Sequence, residues 1–215
     1  MKVPLADLRT QYLQLKPQID SAIQQIFESS QFILGKAVSD FETSFAAHHH
    51  VKHCICVGSG TDALHLALWA MGIGKDDAVL TTPFTFIATV EAISLTGATP
   101  VFVDIDHQTF NLDPARLLDV MNKLKGKSVR AIIPVHLYGQ PGEMKEISRM
   151  AHANNIAIIE DACQAHGAKY RETFVGNFGL AGCFSFYPGK NLGAYGEAGA
   201  VVTNAWYSRA CRPIV

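Results

Sequence analysis

Apolar positions recur at helical spacing early in the chain and then condense into short continuous runs. Over residues 17–30, Ile19, Ala22, Ile23, Ile26 and Phe27 fall at intervals of three and four, which predicts an amphipathic helix. A second helix is expected over 38–49, with Phe41 and Phe45 on its buried face. Cys54-Ile55-Cys56-Val57 then reads as a short apolar strand that ends in Gly58-Ser59-Gly60. Residues 61–71 follow as a helix carrying Leu64, Leu68 and Met71, with Gly72 as its stop.

The alternation continues to the end of the pattern. Strands are expected at 78–81, 100–103, 131–135, 156–159, 183–186 and 199–203, and helices at 87–95, 143–154 and from Pro114 to about Leu124. Continuous apolar strands separated by helices predict a mostly parallel sheet covered on both faces, a three-layer α/β/α arrangement. No repeat, low-complexity tract or linker interrupts it. Residues 1–215 therefore read as one α/β domain with a helical N-terminal segment over about 1–50.

Composition narrows the functional classes. With 215 residues, 48% of them hydrophobic and 17% charged, the chain is long enough for a large buried core. A formal net charge of -1 gives no electrostatic case for nucleic acid or an anionic membrane surface. No stretch approaches a membrane span, and the N-terminus has no apolar core of signal-peptide length. Five cysteines without a disulfide-like framework suit a reducing compartment, so the cytoplasm is expected.

In such a sheet, ligands gather at the carboxyl ends of the strands, and three groups fall there. Gly58-Ser59-Gly60-Thr61 joins a strand end to a helix start, where free N–H groups and the helix dipole suit a phosphate. No Gly-Lys-Ser/Thr closes the loop, so it is not a P-loop, and a plainly capped helix would read the same way. Glu160 and Asp161 end the strand over 156–159, where a carboxylate either caps the next turn or faces a ligand group that needs negative charge. Lys190 is the lone amine in Gly182-Cys183-Phe184-Ser185-Phe186-Tyr187-Pro188-Gly189-Lys190-Asn191-Leu192-Gly193, just past another strand. Apolar surroundings would favour its neutral, nucleophilic form, and flanking glycines admit a close approach; a surface turn lysine is the bland alternative.

One cofactor asks for that trio. Pyridoxal phosphate needs a lysine for covalent attachment, an acid facing its ring nitrogen, and donors for its phosphate. Phe86 or Phe84 is a candidate to stack on the ring, although either also suits the core. His48, His49, His50, His53, Cys54 and Cys56 suggest a metal site only superficially, since consecutive residues do not easily converge on one tetrahedral centre. Ser185 with His136 or His166 lacks the Gly-x-Ser-x-Gly elbow of a hydrolase.

These residues carry a resemblance. The stretches Gly58-Ser59-Gly60-Thr61-Asp62-Ala63-Leu64, Thr82-Pro83-Phe84-Thr85-Phe86, Val101-Phe102-Val103-Asp104-Ile105-Asp106 and Pro134-Val135-His136-Leu137-Tyr138-Gly139 are similar to the DegT/DnrJ/StrS-type sugar aminotransferases. So are Glu160-Asp161-Ala162-Cys163-Gln164-Ala165-His166-Gly167 and the run around Lys190. The likeness extends from about Val3 to Asn204 and implies the fold type I large domain of aspartate aminotransferase. It implies that Lys190 carries the cofactor, that Asp161 partners the ring nitrogen, and that Gln164 binds the ring hydroxyl. It further implies that Gly60, Thr61 and Ser185 bind the phosphate and that Phe86 stacks on the ring. Glu197 departs mildly from the family's glycine-rich pattern and receives no role.

The resemblance implies transfer of an amino group from glutamate to a nucleotide-linked keto sugar, in a homodimer with shared active sites. The family's chains continue into a smaller C-terminal domain, which is expected to be absent here. Residues 205–215 do not match the helix expected at that point. A truncated, non-catalytic or vestigial pyridoxal-phosphate-binding domain is the alternative expectation.

Overall fold

The computed structural model of the chain describes residue 3 and residues 6–205; the divergent tail from Trp206 onward lies outside them. The first helix, α1, spans Leu8–Ser29 and starts earlier than the apolar spacing predicts. Asp7 caps it, its side chain accepting from the Thr10 N–H at 2.9 Å, and Pro17 sits inside the helix instead of opening it. None of its residues is buried. The second helix, α2 (Lys36–His49), buries Phe45, Ala46 and His49, and Phe41 stacks on Phe45 with ring centroids 5.4 Å apart.

Nine strands follow among the described residues, the first five of them separated by helices. They are β1 (His53–Val57), β2 (Ala78–Thr81), β3 (Thr99–Phe102), β4 (Val129–Ile132), β5 (Ala157–Asp161), β6 (Lys169–Tyr170), β7 (Thr173–Phe174), β8 (Ala181–Ser185) and β9 (Gly199–Thr203). The helices between them are α3 (Gly60–Ala70), α4 (Ala88–Leu95), α5 (Pro114–Lys123) and α6 (Met144–Ala153). Seven strands form one sheet in the order β1-β9-β8-β5-β4-β2-β3, while β6 and β7 make a separate small hairpin. All neighbours in the large sheet are parallel except β9, which runs antiparallel to both β1 and β8.

Alternation along each strand sorts the core into two layers. Val79, Ala131, Ile159, Cys183 and Val201 face Leu64, Leu68 and Ile93 of α3 and α4. Their chain neighbours Leu80, Ile132 and Ile158 face Leu117, Met144 and Ile147 of α5 and α6. Phe184 and Val202 turn to the same side as that second group and meet Phe45 of α2. Each fully buried side chain of this size contributes roughly 1.5–3 kcal/mol against solvent exposure. The sheet is thus closed on both faces, and its open end is the row of carboxyl termini.

The end of β5 divides two carboxylates between the two faces. Glu160 is fully buried and accepts from the N–H groups of Gly176 (2.7 Å), Phe178 (2.7 Å) and Gly179 (2.9 Å). His136 completes the set at 3.1 Å through Nε2; its Nδ1 accepts from the Gly142 N–H, which assigns the ring proton to Nε2. Gly176 reaches this arrangement with φ +92°, a conformation that an L side chain rarely adopts. Asp161, next in the chain, points to the opposite face.

Two stability predictions follow from buried polar groups. Glu160→Gln keeps the size but sets an amide NH₂ against donor N–H groups, so denaturant unfolding should show a loss of about 2–4 kcal/mol. The buried His49 ring lies against Phe45, Phe174 and Phe184 and donates from Nδ1 to the Val175 carbonyl. Burial lowers its pKa from 6.5 to about 4. The unfolded chain therefore binds one more proton at this site between those values, so the stability linked to neutral His49 is present above pH 6.5 and lost as pH falls towards 4. A His49→Phe variant should lose less stability than the parent across that interval, as measured by urea unfolding at successive pH values.

Candidate active site

A cavity of about 530 Å³ opens at the carboxyl ends of β1, β5 and β8, within the ordinary range of small-molecule sites. Gly60, Thr61, Phe86, Asp161, Gln164, Ser185 and Lys190, the seven residues to which the family resemblance gives a role, line it. Phe84 does not; its ring packs against Phe110 instead, with centroids 5.8 Å apart.

The phosphate-like end is built by close packing. Ser59 caps α3, its hydroxyl accepting from the Asp62 N–H at 3.0 Å, so the first N–H groups of the helix remain at its mouth. A Cβ on Gly60 would lie 2.6 Å from Ser185 Cβ and 2.9 Å from Cys163 Sγ. Only glycine brings this helix start so near the end of β8. Ser185 is buried there, and its hydroxyl accepts from the Tyr187 N–H at 3.3 Å, which leaves its own hydrogen for an anion. The Ser185 carbonyl in turn accepts from His166 Nε2 at 2.8 Å. Burial lowers the His166 pKa, which suits the neutral ring that this single donor bond requires. Burial also pushes the Cys163 thiol well above its usual value, so a neutral S–H lines the cavity beside Gly60.

Asp161 stands on the same face because it pairs with Cys183 in register, two residues before Ser185. Only 6% exposed, it accepts from Thr89 Oγ1 at 2.7 Å and from the Cys163 N–H at 3.2 Å. Gln164 Oε1 accepts from the Tyr138 N–H at 2.8 Å, so its amide NH₂ is the donor left over. Tyr138 adopts φ 54°, ψ 22° to make that bond. Phe86 is 66% exposed and offers an uncovered ring face. Lys190 follows β8 in a turn closed by its own N–H to the Tyr187 carbonyl at 2.8 Å, and it is half-buried. It is less enclosed than the apolar run suggests, because Phe184 and Phe186 are buried while the loop carrying Tyr187, Lys190 and Leu192 rises out of the core.

Several lining residues received no role from the sequence, four polar or aromatic ones among them. Thr85, Thr89, Tyr187 and Glu197 all border the cavity. Thr89 is a β-branched residue at the start of an apolar helix and looks like filler until the fold sets it against Asp161. Glu197 carried a visible signal, an acid within a glycine-rich turn before a strand.

The mostly parallel seven-strand sheet with its helices, which gathers a helix start, a buried carboxylate and an amine around one cavity, matches the α/β fold of pyridoxal-phosphate aminotransferase structures. Residues 14–207 match the DegT/DnrJ/EryC1/StrS aminotransferase family, and the chain belongs to that family. It is 49% identical over 204 residues to a pleiotropic regulatory protein of Geobacillus stearothermophilus, covering 95% of this chain and 54% of that protein. It is 43% identical over 202 residues to the dTDP-3-amino-3,4,6-trideoxy-alpha-D-glucose transaminase of Streptomyces venezuelae, covering 94% of this chain and 52% of the relative. The crystal structure of S. venezuelae DesV in complex with a ketimine intermediate superposes with a TM-score of 0.90 at 43% identity, covering 96% of this chain and 54% of that one. The chain thus spans about half the length of the curated relatives it matches.

The crowding at Gly60 gives a direct test of the anion end. Gly60→Ala forces the α3 start away from Ser185 and Cys163; if the cavity takes pyridoxal phosphate, its binding should weaken by about tenfold or more, measured by equilibrium titration. Circular dichroism should remain near that of the parent.

Proposed function

We propose that this chain is the cofactor-binding large domain of an aminotransferase that moves an amino group from glutamate to a nucleotide-linked keto sugar. The observation that carries the reading is that Asp161 and Lys190 border one cavity together with the N-terminus of α3 and the Ser185 hydroxyl. The donor set fits pyridoxal phosphate: N–H groups and a hydroxyl at one end, a carboxylate with both oxygens anchored at the other, and an exposed ring face between them.

When bound, the cofactor supplies an electron sink that stabilises negative charge at the donor's Cα. Gly60, Thr61 and Ser185 would hold its phosphate, aided by the positive end of the helix dipole. Asp161 would partner the ring nitrogen and help to keep it protonated. Gln164 would donate to the ring hydroxyl, and Phe86 would stack on the ring. Lys190 Nζ would be the attachment point and, when free, a base placed to move the donor's Cα proton. The nucleotide-sugar substrate class is supported by relatives named for it, among them the S. venezuelae transaminase and the UDP-2-acetamido-2-deoxy-3-oxo-D-glucuronate aminotransferase of Pseudomonas aeruginosa.

The working form is a homodimer with shared active sites. Support comes from α1, which buries none of its residues and exposes Leu8, Leu13, Leu15, Ile23 and Phe27, an apolar surface suited to a second copy. Its setting is the cytoplasm, in keeping with four free thiols among the described residues. A second reading, a regulatory or non-catalytic cofactor-binding protein, is favoured by relatives named pleiotropic regulatory protein and erythromycin biosynthesis sensory transduction protein.

Borohydride reduction in the presence of pyridoxal phosphate, followed by peptide mapping, should place the label on Lys190. Label on another lysine would overturn the assignment. The cofactor's amino form should then be consumed faster by a nucleotide-linked keto sugar than by pyruvate; labelling of Lys190 with no amino transfer at all would favour the regulatory reading.

A further inference from the structure

Three hydrogen-bond contacts converge on the hydroxyl of Thr89, one of them to Asp161. Its Oγ1 is 2.7 Å from Asp161 Oδ2, 2.8 Å from Thr85 Oγ1 and 3.2 Å from the Phe86 carbonyl oxygen. A hydroxyl has one hydrogen to give. The ionised carboxylate is both the nearest and the strongest acceptor of the three, so the Thr89 hydrogen points to Asp161. Thr85, whose own hydroxyl hydrogen is uncommitted, then donates to Thr89. The direction of the chain is fixed: Thr85 to Thr89 to Asp161.

The placement gives this chain leverage. Thr89 is fully buried, whereas Thr85 is half-buried and borders the cavity. The other oxygen of Asp161 is anchored by the Cys163 N–H at 3.2 Å. The carboxylate plane is therefore held from two sides, by the first turn of α4 and by the turn after β5. The segment that carries the two hydroxyls also carries Phe86, whose carbonyl accepts from the Thr89 N–H at 3.2 Å. One short stretch thus sets both the exposed ring face and the orientation of the acid.

We propose that Thr89, supported by Thr85, is a positioning residue that orients Asp161 and sets how strongly that carboxylate holds a proton on a ring nitrogen opposite it. The proposal rests on the aminotransferase reading for its chemical purpose, but the hydrogen-bond relay stands without it. Thr89→Val keeps the side-chain shape and removes the donor to Asp161. Thr89→Ser keeps the donor and loses only a methyl group. Thr85→Val leaves Thr89 in place and removes the hydroxyl that polarises it, so it should act in the same direction and more weakly.

The test has two arms. In cofactor-free protein labelled with ¹³C at aspartate, the Asp161 carboxyl resonance at fixed pH should move in Thr89→Val, move less in Thr85→Val, and return towards its parent position in Thr89→Ser. With ¹⁵N-labelled pyridoxal phosphate bound, the ring nitrogen of Thr89→Val should lose its proton at a pH about one unit higher than in the parent, because a carboxylate deprived of that donor holds the opposing proton more strongly. That is the tenfold change expected when one charge-assisted hydrogen bond is removed. A carboxyl resonance indifferent to Thr89→Val overturns the relay. A resonance that moves while the ring nitrogen titrates as in the parent overturns the positioning role. Failure of the parent protein to bind pyridoxal phosphate would count against the proposed function instead, with the carboxyl resonance still deciding whether Thr89 holds Asp161.

Discussion

Two adjacent carboxylates at the end of β5 organise most of what surrounds the cavity. Strand geometry sends Glu160 and Asp161 to opposite faces of the sheet. Glu160 is fully buried and collects three backbone N–H groups from the turn before β8 together with the His136 ring. That turn fixes where β8 begins, and β8 delivers Ser185 and the loop of Lys190. Asp161 is buried against α4 and serves the cavity. A carboxylate costs several kcal/mol to desolvate, so each must find its donors where the chain passes. Glu160 draws them from its own structural surroundings, and this leaves Asp161 alone on the ligand side, anchored but with acceptor capacity to spare.

Crowding at the helix start is the second constraint. Gly60 lets α3 press against Ser185 and Cys163, and Gly199 lets the start of β9 pass the Ser59 carbonyl where a Cβ would collide. Both contacts push in one direction, towards the carboxyl ends of β1 and β8. The first N–H groups of α3 consequently share a wall with the Ser185 hydroxyl. An anion placed there meets donors from two elements whose spacing is set by glycine contacts on both sides, so the geometry does not depend on a flexible side chain.

Most of the sheet was legible from apolar runs, and β2 and β9 match their expected bounds. Direction was not: a buried strand reads alike both ways, so nothing in Gly199 to Thr203 announced that β9 runs against its neighbours. The hairpin of β6 and β7 has two residues per strand, too few to display a period of two. The apolar spacing of the first helix began only at residue 17, yet the cap that sets its start is Asp7. Residues 133–135 are apolar but leave the ladder after Ile132, Val135 keeping only a bridge to Asp161. In the cavity, residues at strand ends could be placed together because the topology rule puts all such ends on one edge. Thr89 could not, since its partner lies 72 positions away and the contact exists only once α4 packs on the sheet.

The cavity therefore has a floor and a rim of different character. Its floor is made of groups locked by the sheet and by hydrogen bonds: Asp161, Ser185, Thr89 and the start of α3. Its rim carries the exposed aromatic residues Phe86 and Tyr187, each more than half exposed, and Tyr138 stands next to it through its bond to Gln164. Proton placement and anion binding need fixed distances and belong on the floor, where reorganisation would cost rate. Recognition of a larger molecule needs apolar faces that adapt, and loops carried by a rigid scaffold supply them. Tyr138 joins the two, since its strained backbone holds the Gln164 oxygen while its ring stands in solvent. A molecule settling on that ring would press on a residue whose backbone also sets the direction of a donor in the cavity wall, the Gln164 amide.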